Sequence, residues 1–212
     1  MKTQNKCRAE KIKELLKYHV VDTTALLTSS TPVYAAMEVG VVGMSDQVSL
    51  GSRLAAAGLS YGGIALAFSR GRDISRKIFG INDSTRERTQ TLHDAVYAAV
   101  FNGVTTPPLY MAMGADIKQA IFGGISSAAL SVPMGPILGY SVDVARDMTG
   151  LKKCERASYP KLIKDQVSSV KKGLAALLLA GSLALTAGAY TLIPNEKNAS
   201  VHLQQVIESK NK

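Results

Sequence analysis

Glu38 and Arg53 are side chains of opposite charge within two long apolar stretches of this 212-residue chain. A charge at membrane depth costs at least about 2.5 kcal/mol near a helix centre, so such a residue faces the protein interior and has a partner. Both residues lie toward the outer ends of adjacent helices joined by a short turn, which predicts an ion pair. The pair is either structural, or the gate and substrate clamp of a permeation path.

Three carboxylates, Asp22, Asp94 and Asp143, form a second group at the inner ends of the apolar stretches. A partly buried carboxylate that titrates near the cytoplasmic pH can carry a proton reversibly. Asp22, Asp94 or Asp143 is therefore the predicted proton-coupling residue. The alternative is that these acids are interfacial anchors for Arg72 and Arg146.

Prolines interrupt three of the apolar stretches near mid-depth. Pro32 lies roughly 18 Å into its stretch, close to the midplane. Proline lacks an N–H and frees a carbonyl, so a broken helix at these points would offer backbone groups to a ligand. A packed kink is the alternative. The predicted substrate-binding residues are Glu38, Arg53, Pro32, Tyr34, Pro107 and Tyr110.

Long apolar segments must position these side chains. A membrane-spanning helix needs about 20 predominantly apolar residues. Segments 95–115, 120–142 and 173–193 contain no Asp, Glu, Lys or Arg, whereas segments 20–42 and 48–69 are interrupted by charge. The sequence therefore predicts an all-α integral membrane protein that crosses the bilayer five times.

Basic residues collect in alternate connectors. Six precede the first span, six lie in 70–91 and eight lie in 145–172. Because cytoplasmic loops are enriched in Lys and Arg, the N-terminus is predicted to be cytoplasmic and the C-terminus outside, in a multi-pass membrane protein. The net charge of +9 is thereby explained without nucleic acid as a partner.

The predicted organisation has five parts. They are a basic amphipathic cytoplasmic segment (1–19), a four-helix transporter-like membrane core (20–147), a basic cytoplasmic linker (148–172), a fifth transmembrane helix (173–193) and a polar tail (194–212).

An internal repeat organises the core. Asp22 matches Asp94, the stretch 31–37 (TPVYAAM) matches 107–113 (PPLYMAM), and Arg72 matches Arg146. A two-helix unit used twice enters from the same side each time, as in parallel-repeat transporters. The fifth helix lies outside this repeat.

Motifs of enzymes and metal sites are absent from the sequence. It has no HExxH, no GxSxG, no phosphate-binding glycine loop and no metal-spaced Cys/His cluster, so no enzyme activity, cofactor or metal is predicted. Cys7 and Cys154 both fall on the predicted cytoplasmic side, where thiols stay reduced.

Several short motifs give the chain a family resemblance. They are Asp22-Thr23, Met37-Glu38-Val39, Gly43-Met44-Ser45, Ser52-Arg53-Leu54, Arg72-Asp73, Asp94-Ala95, Gly114-Ala115-Asp116 and Gly139-Tyr140 with Asp143. In this order and spacing, over about residues 22–147, the chain resembles the bacterial L-alanine exporter family. The resemblance implies a small four-helix inner-membrane protein that exports alanine on the proton gradient. The basic linker and the fifth span depart from that family.

Two functions from different classes remain. In the first, the protein is a proton-coupled secondary exporter of a small amino acid such as alanine, with lipid, substrate and protons as partners and a homo-oligomer compatible with so few helices. Arg53, or N–H groups freed at the prolines, would meet the substrate carboxylate, and Glu38 or freed carbonyls the ammonium. In the second, it is a non-transporting scaffold or subunit whose intramembrane charges are structural. Intramembrane charge together with aligned prolines favours the first.

Overall fold

The computed structural model describes residues 2–81, 85–154 and 158–193, and every regular element in these ranges is helical. The all-α prediction is confirmed for this part of the chain, and the tail predicted at 194–212 lies outside it. The α-helices are α1 (Lys2–Gly40), α2 (Asp46–Leu59), α3 (Ala65–Ile78), α4 (Glu87–Ala112), α5 (Ile117–Met148), α6 (Lys161–Lys164) and α7 (Ser168–Leu192).

Two of the described helices, α5 and α7, are long and apolar enough to cross a membrane by length and composition. The other three predicted spans lie in α1, in α2 with α3, and in α4, which do not reach this level. α2 and α3 contain 14 residues each and are too short on their own, and polar residues such as Glu38 in α1 and Asn102 in α4 lower the hydropathy of the other two. Those same residues form the site described below.

The first helix contains residues 2–19 of the basic segment without a break. α1 contains 39 residues and is roughly 58 Å long, well beyond the thickness of a hydrocarbon core of about 30 Å. Leu15 and Leu16 are exposed on its first half. The basic segment is therefore an extension of the first helix and not a separate element.

The second predicted span is interrupted by a turn that the sequence analysis did not predict. α2 and α3 are joined by a π-helical turn, Ser60–Ile64, in which Gly63 has a φ of 126°. Side chains disfavour this region, and glycine adopts it without a steric penalty. Turns of this kind kink helices and are frequent at functional sites. The Gly62-Gly63 pair was the available signal.

The predicted helix breaks at proline are wrong. α1 continues through Pro32, α4 through Pro107 and Pro108, and α5 through Pro133 and Pro136. A Cβ added to Gly124 of α5 would lie 2.5 Å from the ring of Pro107, so that ring packs directly against α5. Packing against a neighbouring helix accounts for prolines inside a helix.

The helices pack as two antiparallel hairpins with α7 at the side. The first hairpin is α1 with α2–α3, and the second is α4 with α5, whose mutual packing is the most extensive. α1 also packs along α5 and along α7. Large apolar side chains remain exposed on α4, α5 and α7, including Val104, Ile125 and Leu183. Such a surface suits lipid.

The predicted topology can be tested by labelling single cysteines in a background without native cysteines. Val41 and Lys118 are exposed at the turns after α1 and α4, whereas Phe79 and Gln166 are exposed at the opposite ends of the helices. An impermeant maleimide added to intact cells is expected to label cysteine at Val41 and Lys118 only. Cysteine at Phe79 and Gln166 should react after permeabilisation. The reverse pattern would contradict the basic-loop orientation.

Candidate functional site

Polar side chains are spaced four residues apart on each helix of the site. They therefore lie on one face of the helix, and that face points to the interior of the bundle. Residues at i and i+4 lie on the same side of an α-helix. The aligned groups are Tyr34 and Glu38 on α1, Ser49 and Arg53 on α2, Asn102, Thr106 and Tyr110 on α4, and Ser127 and Ser131 on α5.

The turn between α1 and α2 sets the two charged residues opposite each other. Gly43 has a φ of 68°, and Met44 is fully buried and donates its N–H to the Glu38 carbonyl at 2.9 Å. The Ser45 hydroxyl then accepts the Val48 N–H and caps the start of α2. The cap places Ser49 and the arginine one turn later on the face toward α1.

Glu38 has no exposed surface and is held by three neighbours. The Ser49 hydroxyl donates to Oε2 at 2.6 Å, and the Tyr110 hydroxyl donates to Oε1 at 2.6 Å. Arg53 forms an ion pair with Oε1 through Nη2. A buried charge is tolerated when it is paired and hydrogen-bonded in this way. The contact predicted between Glu38 and Arg53 is therefore present.

Arg53 binds Glu38 through Nη2 and not through Nε. Its guanidinium lies over the ring of Tyr34, 5.2 Å from the centroid, at cation–π distance. Its buried Nε has no hydrogen-bond partner among the described residues. An unpartnered buried donor on a charged group is costly, so this position favours an acceptor from outside the protein.

A second polar chain ties three helices together beside Arg53. Ser131 donates to the Ser127 carbonyl at 2.7 Å, so its oxygen accepts from the Tyr34 hydroxyl at 2.9 Å and from Asn102 Nδ2 at 2.7 Å. Because these contacts link α1, α4 and α5, they fix the Tyr34 ring that supports the guanidinium.

A cavity of about 200 Å³ opens next to these groups. Its polar lining consists of Ser30, Tyr34, Arg53, Ser60, Asn102, Thr105 and Thr106, and its apolar lining includes Ala56, Ala98, Phe101 and Leu138. A pocket of mostly apolar surface with a few convergent polar groups is typical of a small-molecule site.

The predicted substrate-binding residues divide into two groups. Arg53 and Tyr34 line the cavity, Glu38 pairs with Arg53, and Tyr110 donates a hydrogen bond to Glu38. Among the described residues that line the cavity, neither Pro32 nor Pro107 is present. Their helices are unbroken, so these prolines free no backbone donors for a ligand.

The inner ends of the helices hold two arginine–aspartate pairs. Arg146 of α5 donates two hydrogen bonds to Asp22 of α1, one from Nε to Oδ1 at 2.6 Å and one from Nη2 to Oδ2. Arg76 of α3 grips Asp94 of α4 in the same way, with 2.9 Å from Nε to Oδ1. Bidentate geometry makes both pairs strong contacts between helices.

The remaining predicted acid and base lie beside these pairs. Asp143 is three residues before Arg146 on α5 and acts on it electrostatically. Arg72 lies 3.8 Å from Asp94, and His93 Nδ1 lies 3.2 Å from the same carboxylate. Asp22 and Asp94 therefore form acid–base contacts with arginines, and Asp143 acts on Arg146 electrostatically.

The linker after α5 is fastened to the helix end by Asp147. This carboxylate accepts from Lys171 Nζ at 2.7 Å, from the Tyr159 hydroxyl at 2.9 Å and from the Cys154 N–H at 3.3 Å. Burial raises the pKa of Tyr159 well above its ordinary value, and the hydrogen bond to Asp147 acts in the same direction. Cys154 is a free thiol, whereas the Cys7 side chain lies outside the described part.

Sequence reasoning missed five contributors, namely Ser49, Asn102, Ser127, Ser131 and Tyr190. The first four are polar residues in apolar runs, and their spacing of four residues from another site residue was an available signal.

The sequence of this chain is similar to a known protein family. The sequence model of the L-alanine exporter family matches residues 11–152, which include α1 from residue 11 onward and all of α2 to α5. The chain belongs to the L-alanine exporter family. Membership confirms the resemblance and makes the chain a membrane protein of an amino-acid transport family, not of an enzyme family. α7 lies beyond the matched residues.

Individual L-alanine exporters are similar over most of their length. The L-alanine exporter AlaE of Cronobacter sakazakii is 30% identical over 131 residues, which are 62% of this chain and 82% of the relative. AlaE of Escherichia fergusonii is 29% identical over 128 residues, 60% of this chain and 81% of the relative. AlaE of Salmonella arizonae is 28% identical over 133 residues, which are 62% of this chain and 87% of the relative. No solved structure matches the chain.

Proposed function

We propose that this protein exports a small amino acid, L-alanine, through the cytoplasmic membrane, and that the cavity beside Arg53 is its substrate site. The observation that carries the proposal is the arginine itself. It lines a cavity of about 200 Å³ with a buried Nε that has no partner among the described residues. Family membership supplies alanine as the substrate.

The cavity offers a partner for each part of an amino acid. The substrate carboxylate would bind the Arg53 guanidinium, whose planar fork suits a carboxylate. Oxygens of Ser30, Asn102 and Thr105 would accept from the ammonium, and Ala56 and Ala98 would meet the methyl group. Thr105 already donates its hydroxyl proton to the Phe101 carbonyl at 2.8 Å, so its oxygen is free to accept.

Substrate and Glu38 then compete for the same guanidinium. Glu38 already accepts from Ser49 and Tyr110, so it keeps two hydrogen bonds when Arg53 turns toward a substrate. Arg53 can therefore move from the Glu38 carboxylate to the substrate carboxylate while Glu38 keeps its hydrogen bonds from Ser49 and Tyr110. Such an exchange would couple substrate binding to the contact between α1 and α2.

The proposed membrane arrangement has five crossing helices, with the N-terminus in the cytoplasm and the C-terminus outside. The basic connectors support this orientation. The parallel two-helix repeat is supported by the inner pairs, because each takes its acid from one hairpin and its base from the other. Asp22 pairs with Arg146, and Asp94 pairs with Arg76.

Coupling to protons is proposed at the inner pairs. The cavity lies between these pairs and the outer Glu38–Arg53 pair, so contacts close the bundle on both sides of it. A proton on Asp22 or Asp94 would remove the charge that holds its arginine and loosen the inner end. Asp143, beside Arg146, is the third candidate. A homo-oligomer stays a prediction of the sequence.

A structural role for the same charges is the second candidate function. It is favoured by the hydrogen bonds of Glu38, Asp22 and Asp94, each of which has partners that would stabilise a scaffold. A scaffold needs no substrate site. The two functions can therefore be distinguished by whether filling the cavity with a larger side chain changes transport.

Filling the cavity is expected to stop transport. Ala56 lines the cavity, whereas Ala57 is not among its described lining residues and lies one turn after the exposed Leu54 on α2. In proteoliposomes, counterflow of labelled alanine should fall roughly tenfold or more in Ala56→Phe, because the ring takes the space of the ligand. The matched control Ala57→Phe should retain activity.

Two results would count against the proposal. If wild-type protein gives no counterflow with alanine or any other small amino acid, the chain is better described as a scaffold. If Ala56→Phe and Ala57→Phe lose activity equally, the cavity is not the substrate site.

A further inference from the structure

α7, the fifth predicted span, reaches the Glu38–Arg53 pair although it lies outside the residues that match the family. The match ends at residue 152, and α7 begins at Ser168. The Tyr190 hydroxyl near the end of α7 lies 3.1 Å from the Ser49 hydroxyl. Ser49 is the residue that donates to Glu38.

The direction of these hydrogen bonds follows from counting protons. Ser49 has one hydroxyl proton, and it is given to Glu38 Oε2 over 2.6 Å. In the contact with Tyr190, the serine oxygen is therefore the acceptor and the tyrosine the donor. The result is a relay of two hydrogen bonds from α7 through α2 to the carboxylate on α1.

α7 is fixed at both ends, so its tyrosine is held in place. At the start of the helix, Lys171 bonds Asp147 at 2.7 Å. Just beyond its end, Ile193 packs on α1, where a Cβ added to Gly40 would lie 3.3 Å from its side chain. Along its length α7 packs against α1.

We propose that Tyr190 is a positioning residue for the Glu38–Arg53 pair and sets how readily Arg53 exchanges Glu38 for a substrate carboxylate. A hydrogen bond donated to Ser49 polarises its hydroxyl and strengthens the bond that Ser49 gives to Glu38. When Ser49 donates a stronger hydrogen bond to Glu38, the Glu38 carboxylate depends less on its ion pair with Arg53. The inference rests on the proposed function, since it assumes that Arg53 binds the substrate.

Removing the tyrosine hydroxyl should therefore weaken substrate binding more than turnover. In Tyr190→Phe, Glu38 holds Arg53 more tightly and competes better with alanine. The KM of counterflow should rise roughly fivefold, the worth of about one hydrogen bond, while the maximal rate changes little. The matched control is Thr191→Val, which removes a hydroxyl bonded to the Ala187 and Gly188 carbonyls of its own helix and should leave KM unchanged.

A cycle with Ser49 separates positioning from a general structural effect. Ser49→Ala should raise KM by itself, and Tyr190→Phe should add nothing in that background, because the relay is already cut. An unchanged KM in Tyr190→Phe, or additive effects of the two substitutions, would overturn the inference while wild-type counterflow upheld the proposed function. Absence of wild-type counterflow would overturn the function itself.

Discussion

Replacing Arg53 with glutamine is expected to abolish alanine counterflow and to destabilise the protein at the same time. The substitution removes the proposed carboxylate ligand, with a loss of transport of roughly a hundredfold or more. It also leaves Glu38, which has no exposed surface, without its counter-charge. Breaking a buried ion pair from one side costs about 3–5 kcal/mol.

The double substitution distinguishes these two effects. Glu38→Gln combined with Arg53→Gln leaves no unpaired charge, so its unfolding in detergent should require more denaturant than that of either single variant. Transport should stay lost, because the ligand for the substrate carboxylate is still missing. Stability losses that simply add would mean that the two side chains do not meet.

Arg53→Lys serves as the conservative control for this cycle. Lysine keeps a positive charge for Glu38 but lacks Nε and the planar fork. The free energy of unfolding should stay near the wild-type value while transport falls. Full transport in Arg53→Lys would show that a point charge is sufficient and that Nε has no part in binding.

Neutralising the coupling carboxylate is expected to abolish uphill export and leave exchange nearly intact. The variants are Asp22→Asn, Asp94→Asn and Asp143→Asn. Exchange of alanine for alanine moves no net proton, so it survives the loss of the proton carrier, whereas concentrative export does not. The other two acids should tolerate the same change with a modest loss.

The measurement compares export driven by an imposed pH gradient with counterflow in the same proteoliposomes. Asp165→Asn is a matched control, because Asp165 is exposed in the linker before α7. If all three variants retain gradient-driven export, the carboxylates are anchors for Arg146 and Arg76, and the coupling proton is carried elsewhere.

The outer ion pair could be predicted because it depends on local geometry. A short turn between two helices fixes which residues face each other, and the spacing of Ser45, Ser49 and Arg53 follows the helical period. The inner acid–base contacts were predictable in kind, because charges at helix ends seek partners. The choice of partner was not, since Asp94 binds Arg76 more closely than the Arg72 of the repeat.

The remaining features depend on tertiary packing. A proline in a sequence indicates a missing N–H, but only the neighbouring helix decides whether the backbone breaks, and Gly124 accommodates the ring of Pro107. The contacts among Tyr34, Asn102 and Ser131 join residues far apart in the chain. No local pattern specifies such contacts.

The crossed inner pairs also bear on how two hairpins of one chain can share one site. A hairpin with an aspartate near its beginning and an arginine near its end is complementary to a copy of itself about a twofold axis. Here Asp22 and Arg146, and Asp94 and Arg76, make that match within one polypeptide. Halves encoded in a single chain can diverge, as the halves of a homodimer cannot. The outer pair, Glu38 with Arg53, comes wholly from the first hairpin. A site whose outer charged pair comes from one hairpin suits a substrate whose own two ends differ.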